Sequence, residues 1–169
     1  ASIRDGGDIQ DLIDRLRSQV GKLEISPEEL SGRNQRSALF KTMFLAFRSA
    51  GAKDWHSNLT IALDHSGAQH RLQFHHIFPK AVLTKAGVIS READDISNLA
   101  FIGGKTNRVI SNKPPKEYLA FFATKSGEEG FRVQEIPLDP ELLDTPAYKK
   151  FLEVRRERIA NRLNLFISG

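Results

Sequence analysis

Four of the five histidines in this chain fall within twelve residues, and two of them are adjacent. The four are His65, His70, His75 and His76. The adjacent pair stands in the segment Phe74-His75-His76-Ile77-Phe78-Pro79. Neighbouring side chains on a strand point to opposite faces, and a proline removes a backbone donor and helps to end the strand. The pattern therefore predicts that His75 and His76 lie at a strand-to-loop junction, where catalytic groups often occur.

Three asparagines and a lysine follow the pair further along the chain. Asn98 comes twenty-two positions after His76, Asn107 nine positions later, and Asn112-Lys113 closes the segment. Hydrolysis of a phosphodiester needs a base that takes a proton from water, and imidazole titrates near neutral pH. It also needs a cation to neutralise charge on the phosphate, and a partner that fixes the ring of the base. The series contains residue types suited to each of these tasks.

Hydrophobic periodicity and start signals predict the elements that would carry these residues. We expect helices over 8–20, about 35–50, 80–86, 105–111, from Pro114 onward and over about 146–167. Ser26-Pro27-Glu28-Glu29 is a helix start signal. Short strands are expected at 59–63, 71–75 and 98–102, with a turn at 65–69 and a loop-rich stretch at 123–146.

The composition is that of a folded globular protein. Of 169 residues, 40% are hydrophobic and 27% are charged, which suits one domain with a real core. The sequence contains no run of eighteen apolar residues, so no transmembrane span is expected, and no signal peptide is recognisable at the start. The chain opens with ASIRDGGD, so we expect a fragment of a longer protein, with a processed or tag-derived start as the alternative.

Cysteine is absent, and the charge balance is mildly basic. The lack of cysteine excludes disulfides, thiolate-bound zinc and a cysteine nucleophile, and it fits a cytoplasmic location. Lys plus Arg is 25 and Asp plus Glu is 21, a formal charge of +4, which suits a nucleic-acid partner. Four arginines, Arg155, Arg156, Arg158 and Arg162, are expected mostly off the apolar stripe of the last helix. They form either a solvated face or a surface for DNA phosphate or for the rest of the protein.

The segment from Phe74 to Leu119 resembles an HNH, or ββα-metal, nuclease motif. The resemblance rests on HHIFPK, NLAFI and KTNRVISNKPPKEYL, and the upstream GAKDWHS is also similar. It is strongest to the C-terminal domain of GmrSD-like, modification-dependent restriction enzymes and of the antiphage protein SspE. The resemblance implies an α+β fold, mainly helical, in which a small ββα-metal module has helices on both flanks. It implies one HNH domain over 1–169, with a helical part at 1–58, the catalytic core at 59–120 and a loop with a C-terminal helix at 121–169.

The resemblance also implies a role for each residue of the series. His76 is expected to be the general base, and Asn98 to hold the His76 ring through its side-chain amide. His75 is expected to bind a metal ion. Asn107 stands where many HNH enzymes have their last histidine, so it is the second expected metal ligand. An amide oxygen there favours Mg²⁺ or Mn²⁺ and argues against zinc.

Residues around this series receive weaker roles. Arg108, Asn112 and Lys113 are candidates for phosphate binding or for support of the loop. His56, His65 and His70 are expected to be structural or surface residues. Trp55 is expected to pack in the core or at its edge.

The function that these expectations describe is a metal-dependent DNA endonuclease or nickase that restricts phage or foreign DNA. The resemblance further implies an N-terminal domain in the full protein that senses or hydrolyses nucleotides, and a homo-oligomer is a possible assembly. The lack of a long apolar run predicts no membrane association. Two alternatives remain open. One is a non-catalytic DNA-binding module of ββα-metal shape, and the other is an RNA-directed nuclease or toxin.

Overall fold

The computed structural model describes residues 7–20, 24–61 and 72–169. These residues form an α+β architecture that is mostly helical, as expected, with a two-stranded antiparallel sheet. No helix among them is long and apolar enough to cross a membrane. The helices are α1 (Gly7–Val20), α2 (Pro27–Leu30), α3 (Ala38–Ser49), α4 (Lys80–Lys85), α5 (Ser90–Ala93), α6 (Gly104–Ile110), α7 (Pro115–Ser126), α8 (Glu129–Arg132) and α9 (Tyr148–Ser168).

The sheet pairs β1 (Leu72–His76) with β2 (Leu99–Gly103), and His76 lies opposite Leu99. The strand β2 begins one residue later than predicted, and the first residue of the other predicted strand, residue 71, lies outside the described residues. Of the third predicted strand, 59–63, only an isolated bridge between Thr60 and Lys53 is found, and residues 62 and 63 lie outside the described residues. The predicted turn at 65–69, with His65 and His70, also lies outside them.

The strand β1 ends at His76, and Pro79 directly precedes α4. The predicted strand-to-loop junction is therefore confirmed. On the other side of the sheet, α6 begins at Gly104, immediately after β2, and packs against both strands. The order strand, strand, helix places the ends of β1 and the first turns of α6 side by side.

The predicted helices are found with small differences in their bounds. Pro27 is the first residue of α2, and the backbone N–H of Ser26 donates to Oε2 of Glu29 at 2.9 Å, as the start signal predicts. The stretch 123–146 is more helical than expected. The helix α7 continues to Ser126, and α8 follows as a single turn.

Two apolar clusters form the core. One joins α3 to α9 across the face of β2 that bears Phe101. The other lies under β1 and the start of α7 and includes Trp55, Phe78 and Tyr118. Trp55 is buried, as predicted, and its indole N–H donates to the carbonyl of Gly130 at 3.1 Å. His75 packs against Trp55 and Tyr118 of this second cluster.

The apolar stripe predicted for α9 is confirmed, because Tyr148, Leu152, Ile159 and Leu163 are buried, and Phe166, its last predicted member, is half-buried against the first cluster. Arg155 is fully buried beside them, so its expected place off the stripe is wrong. Its guanidinium donates to the carbonyls of Ser97 and Leu99, both at 2.7 Å, and of Gln134 at 3.0 Å. A buried carbonyl without a donor is costly, and this side chain supplies donors to three of them.

The other three arginines of α9, in contrast, lie near acidic side chains. Arg156 pairs with Asp95 at 2.8 Å and Arg162 with Glu135 at 2.7 Å, while Arg158 lies 3.9 Å from Asp139 at the surface. The expected basic face is thus largely neutralised within the chain.

Candidate functional site

The structure brings together the two residues expected to bind metal. Nδ1 of His75, on β1, lies 3.0 Å from Oδ1 of Asn107, on α6. The other amide atom of Asn107, Nδ2, donates to Oε1 of Gln73 at 2.9 Å. Nε2 of His75 lies 3.2 Å from the hydroxyl of Tyr118, on α7. Three elements that are distant in sequence therefore converge on one imidazole.

His75 is a neutral imidazole at physiological pH. Burial lowers the pKa of this ring from its usual 6.5 to about 4, the hydrogen bond with Asn107 acts in the opposite direction, and the charge of His76 lowers it further. Only the neutral ring has a lone pair for a metal ion. Among the described residues no cluster of three or more His, Cys, Asp or Glu side chains occurs. A cation site here would therefore consist of an imidazole and an amide.

His76 points to the opposite face of β1, where its ring lies 6.3 Å from that of Phe74. Nε2 of His76 lies 2.8 Å from Oδ1 of Asp94, and the same carboxylate binds Nζ of Lys80 at 3.0 Å. A carboxylate only accepts, so the proton of this contact is on Nε2 and the lone pair of the neutral ring is on Nδ1. The His76 side chain is 25% exposed, so solvent can reach it.

Asp94 is ionised in this arrangement. Partial burial alone would raise the pKa of its carboxyl, but hydrogen bonds from His76 and Lys80 and their charges outweigh burial and lower it below the usual value. The carboxylate and the imidazole thus form a dyad in which Asp94 orients the ring and fixes its tautomer.

Asn98 has a different role from the one expected. Its Oδ1 accepts from the backbone N–H of Phe78 at 2.9 Å, and its Nδ2 donates to the carbonyls of Phe78 at 3.1 Å and Ala93 at 3.0 Å. Both amide hydrogens are thereby used, and the partner of the His76 ring is Asp94 instead. Asn98 therefore holds the backbone that follows β1 in place. Through this backbone it positions the two histidines indirectly.

Asp54 anchors the start of the helix that carries Asn107. Its carboxylate accepts from the backbone N–H of Gly103 at 2.7 Å and from the hydroxyl of Thr106 at 2.6 Å, and it also binds Ser57. Burial raises the pKa of Asp54, but these hydrogen bonds outweigh burial, and the net pKa lies below its usual value. Asp54 belongs to the segment GAKDWHS, so this segment supports the site by holding the start of α6.

The weaker candidates lie at the periphery. The side chains of Arg108, Asn112 and Lys113 are exposed, the first on α6 and the others on the loop after it. His56 is half-buried, and its Nδ1 lies 3.5 Å from Nζ of Lys125. None of these side chains is among the contacts of His75 or His76 within the described part of the chain.

Sequence reasoning missed Asp94, Tyr118 and Gln73. Asp94 lies among the acids of READD, where nothing in the spacing distinguishes one carboxylate from its neighbours. Tyr118 reads as an ordinary apolar position of α7. Gln73 precedes Phe74 on β1, and the alternation of the strand places it on the same face as His75, which was a usable signal.

Comparisons with known proteins add little to this geometry. No protein-family model and no solved structure matches the chain. One curated relative, "Uncharacterized protein MJ0686" of Methanocaldococcus jannaschii, is 25% identical over 119 residues, which is 69% of this chain and 19% of the relative. The chain thus spans about a fifth of that protein, whose name states no activity.

Proposed function

We propose that this chain is a metal-dependent endonuclease or nickase that hydrolyses phosphodiester bonds of DNA. The observation that carries the proposal is the pairing of His75 Nδ1 with Asn107 Oδ1 at 3.0 Å, next to a dyad of His76 and Asp94. The first pair would hold a cation once the ring proton leaves Nδ1, and the second pair offers a base to water.

The donor pair fits an oxygen-preferring divalent cation. Ligands of octahedral Mg²⁺ lie about 2.0–2.1 Å from the ion, so two adjacent ligands are about 3 Å apart. The separation of the His75 and Asn107 atoms matches this value. Mg²⁺ or Mn²⁺ held there, with water completing its shell, would supply neutralisation of charge on the phosphate and on the leaving oxygen.

His76 serves as the general base in this proposal. Its Nδ1 takes the proton from the attacking water, because Nε2 is already bound to Asp94. The carboxylate then stabilises the imidazolium that forms, and Lys80 keeps the carboxylate in place through its own contact at 3.0 Å. This division of labour is the one that the resemblance implies for His75 and His76, with Asp94 in the supporting role expected of Asn98.

In this proposal the substrate contacts both histidines at the end of β1, where the strand no longer separates its two faces. They are adjacent and point to opposite faces of the strand, and the strand ends at His76. The exposed residues Arg108, Asn112 and Lys113 are candidates for contact with phosphate on the side of α6.

The biological setting is carried by the resemblance in HHIFPK and KTNRVISNKPPKEYL. On that basis we propose DNA as substrate, a restriction or antiviral role in the cytoplasm, and a nucleotide-sensing domain elsewhere in the full protein. The match to a fifth of a longer relative is consistent with a chain that works as one part of a larger protein. A non-catalytic DNA-binding module has less support, because the arginines that suggested it pair within the chain.

Relaxation of supercoiled plasmid in Mg²⁺ or Mn²⁺ tests the activity. We expect cutting that a chelator abolishes and that His76→Ala reduces by about 10²–10⁴-fold, the usual contribution of a general base. His56→Ala is the matched control, since His56 lies outside the site, and it should cut like the wild type. Equal cutting by wild type and His76→Ala would disprove the assigned base. Matched DNA and RNA substrates separate the DNA proposal from an RNA-directed nuclease.

Metal binding is tested separately by titration with Mn²⁺, because an isolated domain can bind metal and still cut slowly. We expect Asn107→Ala to weaken binding by about tenfold or more, since even the loss of an outer-shell partner of a metal ligand typically costs about 10–100-fold. Unchanged Mn²⁺ affinity in both Asn107→Ala and His75→Ala would remove the metal site from the proposal.

A further inference from the structure

An exposed aromatic side chain lies beside the proposed base. Phe74 precedes His76 by two positions on β1, so the two side chains share one face of the strand. Their ring centroids are 6.3 Å apart. Phe101 lies directly opposite Phe74 on β2 and is 4% exposed, whereas Phe74 is 41% exposed. One ring of this aromatic face is therefore left in solvent next to the site.

Phe40, on α3, holds the Phe74 ring in place. The two rings meet edge to face, with centroids 5.9 Å apart and an interplanar angle of 89°. Phe40 is buried and packs on Phe101 with centroids 5.0 Å apart. A phenyl side chain has only two rotatable bonds, and a ring that is already held loses little further freedom when a ligand binds. Phe74 is thus a preorganised surface.

The stacking position on Phe74 is available to a flat ligand. Its two aromatic neighbours are steeply inclined to the Phe74 plane, Phe40 at 89° and His76 at 66°. No aromatic ring in the described part of the chain stacks parallel on Phe74. Every nucleobase has a flat π-face, and proteins that bind single strands stack successive bases on aromatic side chains. The chemistry of the exposed ring therefore matches a nucleobase.

The distance between Phe74 and His76 determines which base the ring meets. Successive nucleotides of a DNA strand are about 3.4 Å apart along the helix axis, so a ring 6.3 Å from the imidazole lies within about two nucleotides of the attacked phosphate. Lys80 is next to the same imidazole through Asp94, and its contacts with this carboxylate use at most two of its three donors. The remaining donor suits a backbone phosphate. A strand that crosses His76 thus meets both a cation and an aromatic ring.

A base inside an intact duplex has no free face, because its neighbours in the stack cover both, so a base that stacks on Phe74 must be unpaired or displaced from the helix. We propose that Phe74 is the stacking platform for an unpaired nucleobase next to the scissile phosphate, so that this site takes single-stranded or locally unpaired DNA in preference to an intact duplex. DNA as the substrate rests on the proposed function, and the preference for an unpaired strand is new. Negatively supercoiled plasmid is prone to local unpairing, so it remains a suitable substrate for cutting.

Stacking on the platform is measured by fluorescence in EDTA, where cleavage does not intervene. Phe74→Trp places an indole on the platform, and the sole tryptophan of the wild type, Trp55, is buried and gives the background. A base stacked on an indole quenches its emission. We expect a single-stranded oligodeoxynucleotide to quench Phe74→Trp, and the same sequence as a duplex to quench it far less. No quenching at saturating single strand, or equal quenching by both, would overturn the platform.

Phe121→Trp is the matched control. Phe121, on α7, is 56% exposed and also meets a phenylalanine edge to face, Phe122 at 5.3 Å. Neither His75 nor His76 is among its ring contacts within the described residues. We expect the emission of Phe121→Trp to stay unchanged when the single strand binds. Equal quenching in this variant would show that DNA lies against any exposed aromatic side chain, and would also overturn the platform.

Affinity for a fluorescent single strand, measured by anisotropy in EDTA, separates stacking from simple apolar contact. We expect Phe74→Ala to weaken binding by about 5–150-fold, the usual contribution of one stacked base, and Phe74→Leu to bind almost as weakly. Phe74→Tyr keeps the ring and should bind like the wild type, as should Phe121→Ala. The comparison of Phe74→Leu with Phe74→Tyr decides the question even where the alanine variant folds poorly. Wild-type affinity in Phe74→Leu would overturn the stacking role.

Plasmid cutting separates the failure of the platform from the failure of the proposed function. Metal-dependent cutting by the wild type, without quenching in Phe74→Trp, would overturn the platform and leave the nuclease proposal intact. Quenching of Phe74→Trp by single strand, without cutting by the wild type, would refute the nuclease proposal and leave Phe74 as part of a site that binds unpaired DNA.

Discussion

The carboxylate of Asp94 accepts a hydrogen bond from Nε2 of His76 at 2.8 Å, across eighteen residues of chain. The contact assigns the proton of the imidazole to Nε2 and directs the lone pair on Nδ1 away from the carboxylate. Lys80 binds the same carboxylate, which keeps Asp94 ionised and in position. His76 is thus the one histidine of the pair that has both a charged partner and access to solvent.

Asp94→Asn should slow cutting without abolishing it. The amide can still occupy the space of the carboxylate, but it does not stabilise a positive ring, so part of the contribution of the base is lost. We expect plasmid cleavage to fall by about 10–100-fold. The measurement is the initial rate in Mn²⁺ under conditions where the wild type cuts. Asp144→Asn, at the exposed pair with Lys116, is the control and should leave the rate unchanged. An unaltered rate in Asp94→Asn would show that the dyad has no part in the reaction.

Asn98→Ala should destabilise the fold. The substitution leaves the backbone N–H and carbonyl of Phe78 and the carbonyl of Ala93 without their partner in a buried setting. We expect the free energy of unfolding to fall by about 3 kcal/mol or more, since three groups lose a partner and each unsatisfied buried group costs about 1–3 kcal/mol. Urea denaturation measures this, with the exposed Asn161→Ala on α9 as control. A loss below about 0.5 kcal/mol, the range of ordinary surface substitutions, would contradict the bracing role.

Asp54 should make stability depend on pH in the acid range. Its pKa is lower in the folded chain than its usual 3.8, so the folded state favours the ionised carboxyl. The stabilisation is complete above the unfolded-state pKa and is lost as pH falls through the folded one. We expect the free energy of unfolding to decrease as pH drops below about 4, and this decrease to be smaller in Asp54→Asn.

Denaturant titrations at several pH values measure the effect of Asp54. The control is Asp139→Asn, which removes an exposed carboxyl 3.9 Å from Arg158 and should leave the acid slope nearly as in the wild type. The same acid slope in wild type and Asp54→Asn would argue against ionised Asp54 as the anchor of α6.

Arg155→Met should cost far more stability than Arg158→Met, although both arginines belong to α9. Methionine fills much of the buried volume but leaves the carbonyls of Ser97, Leu99 and Gln134 without donors. We expect a loss on the order of 3 kcal/mol or more for Arg155→Met, and less than about 0.5 kcal/mol for Arg158→Met. Urea denaturation distinguishes them. Similar small losses in both would mean that water replaces the guanidinium without cost.

Much of the local structure was predictable because its causes are local. Apolar periodicity predicted α1, α3 and α9, and the start signal at Ser26 predicted α2. Pro79 marked the end of β1. The strand-to-loop position of His75 and His76 followed from the same reasoning. Pro79 has no backbone N–H to donate to a neighbouring strand, whatever the tertiary packing of β1. The convergence of His75 with Asn107 was an expectation from resemblance, and the fold places the two side chains in contact.

The sequence by itself determined which residues could act as base, ligand and amide, and roughly where their helices and strands would lie. Only the tertiary structure decided their partners. Asp94 binds His76, Asn98 turns to the backbone, Tyr118 closes on His75, and Arg155 enters the core. The physical reason is common to all four. Buried polar groups must find hydrogen-bond partners, and which groups are buried together depends on how distant segments pack, which no local pattern records.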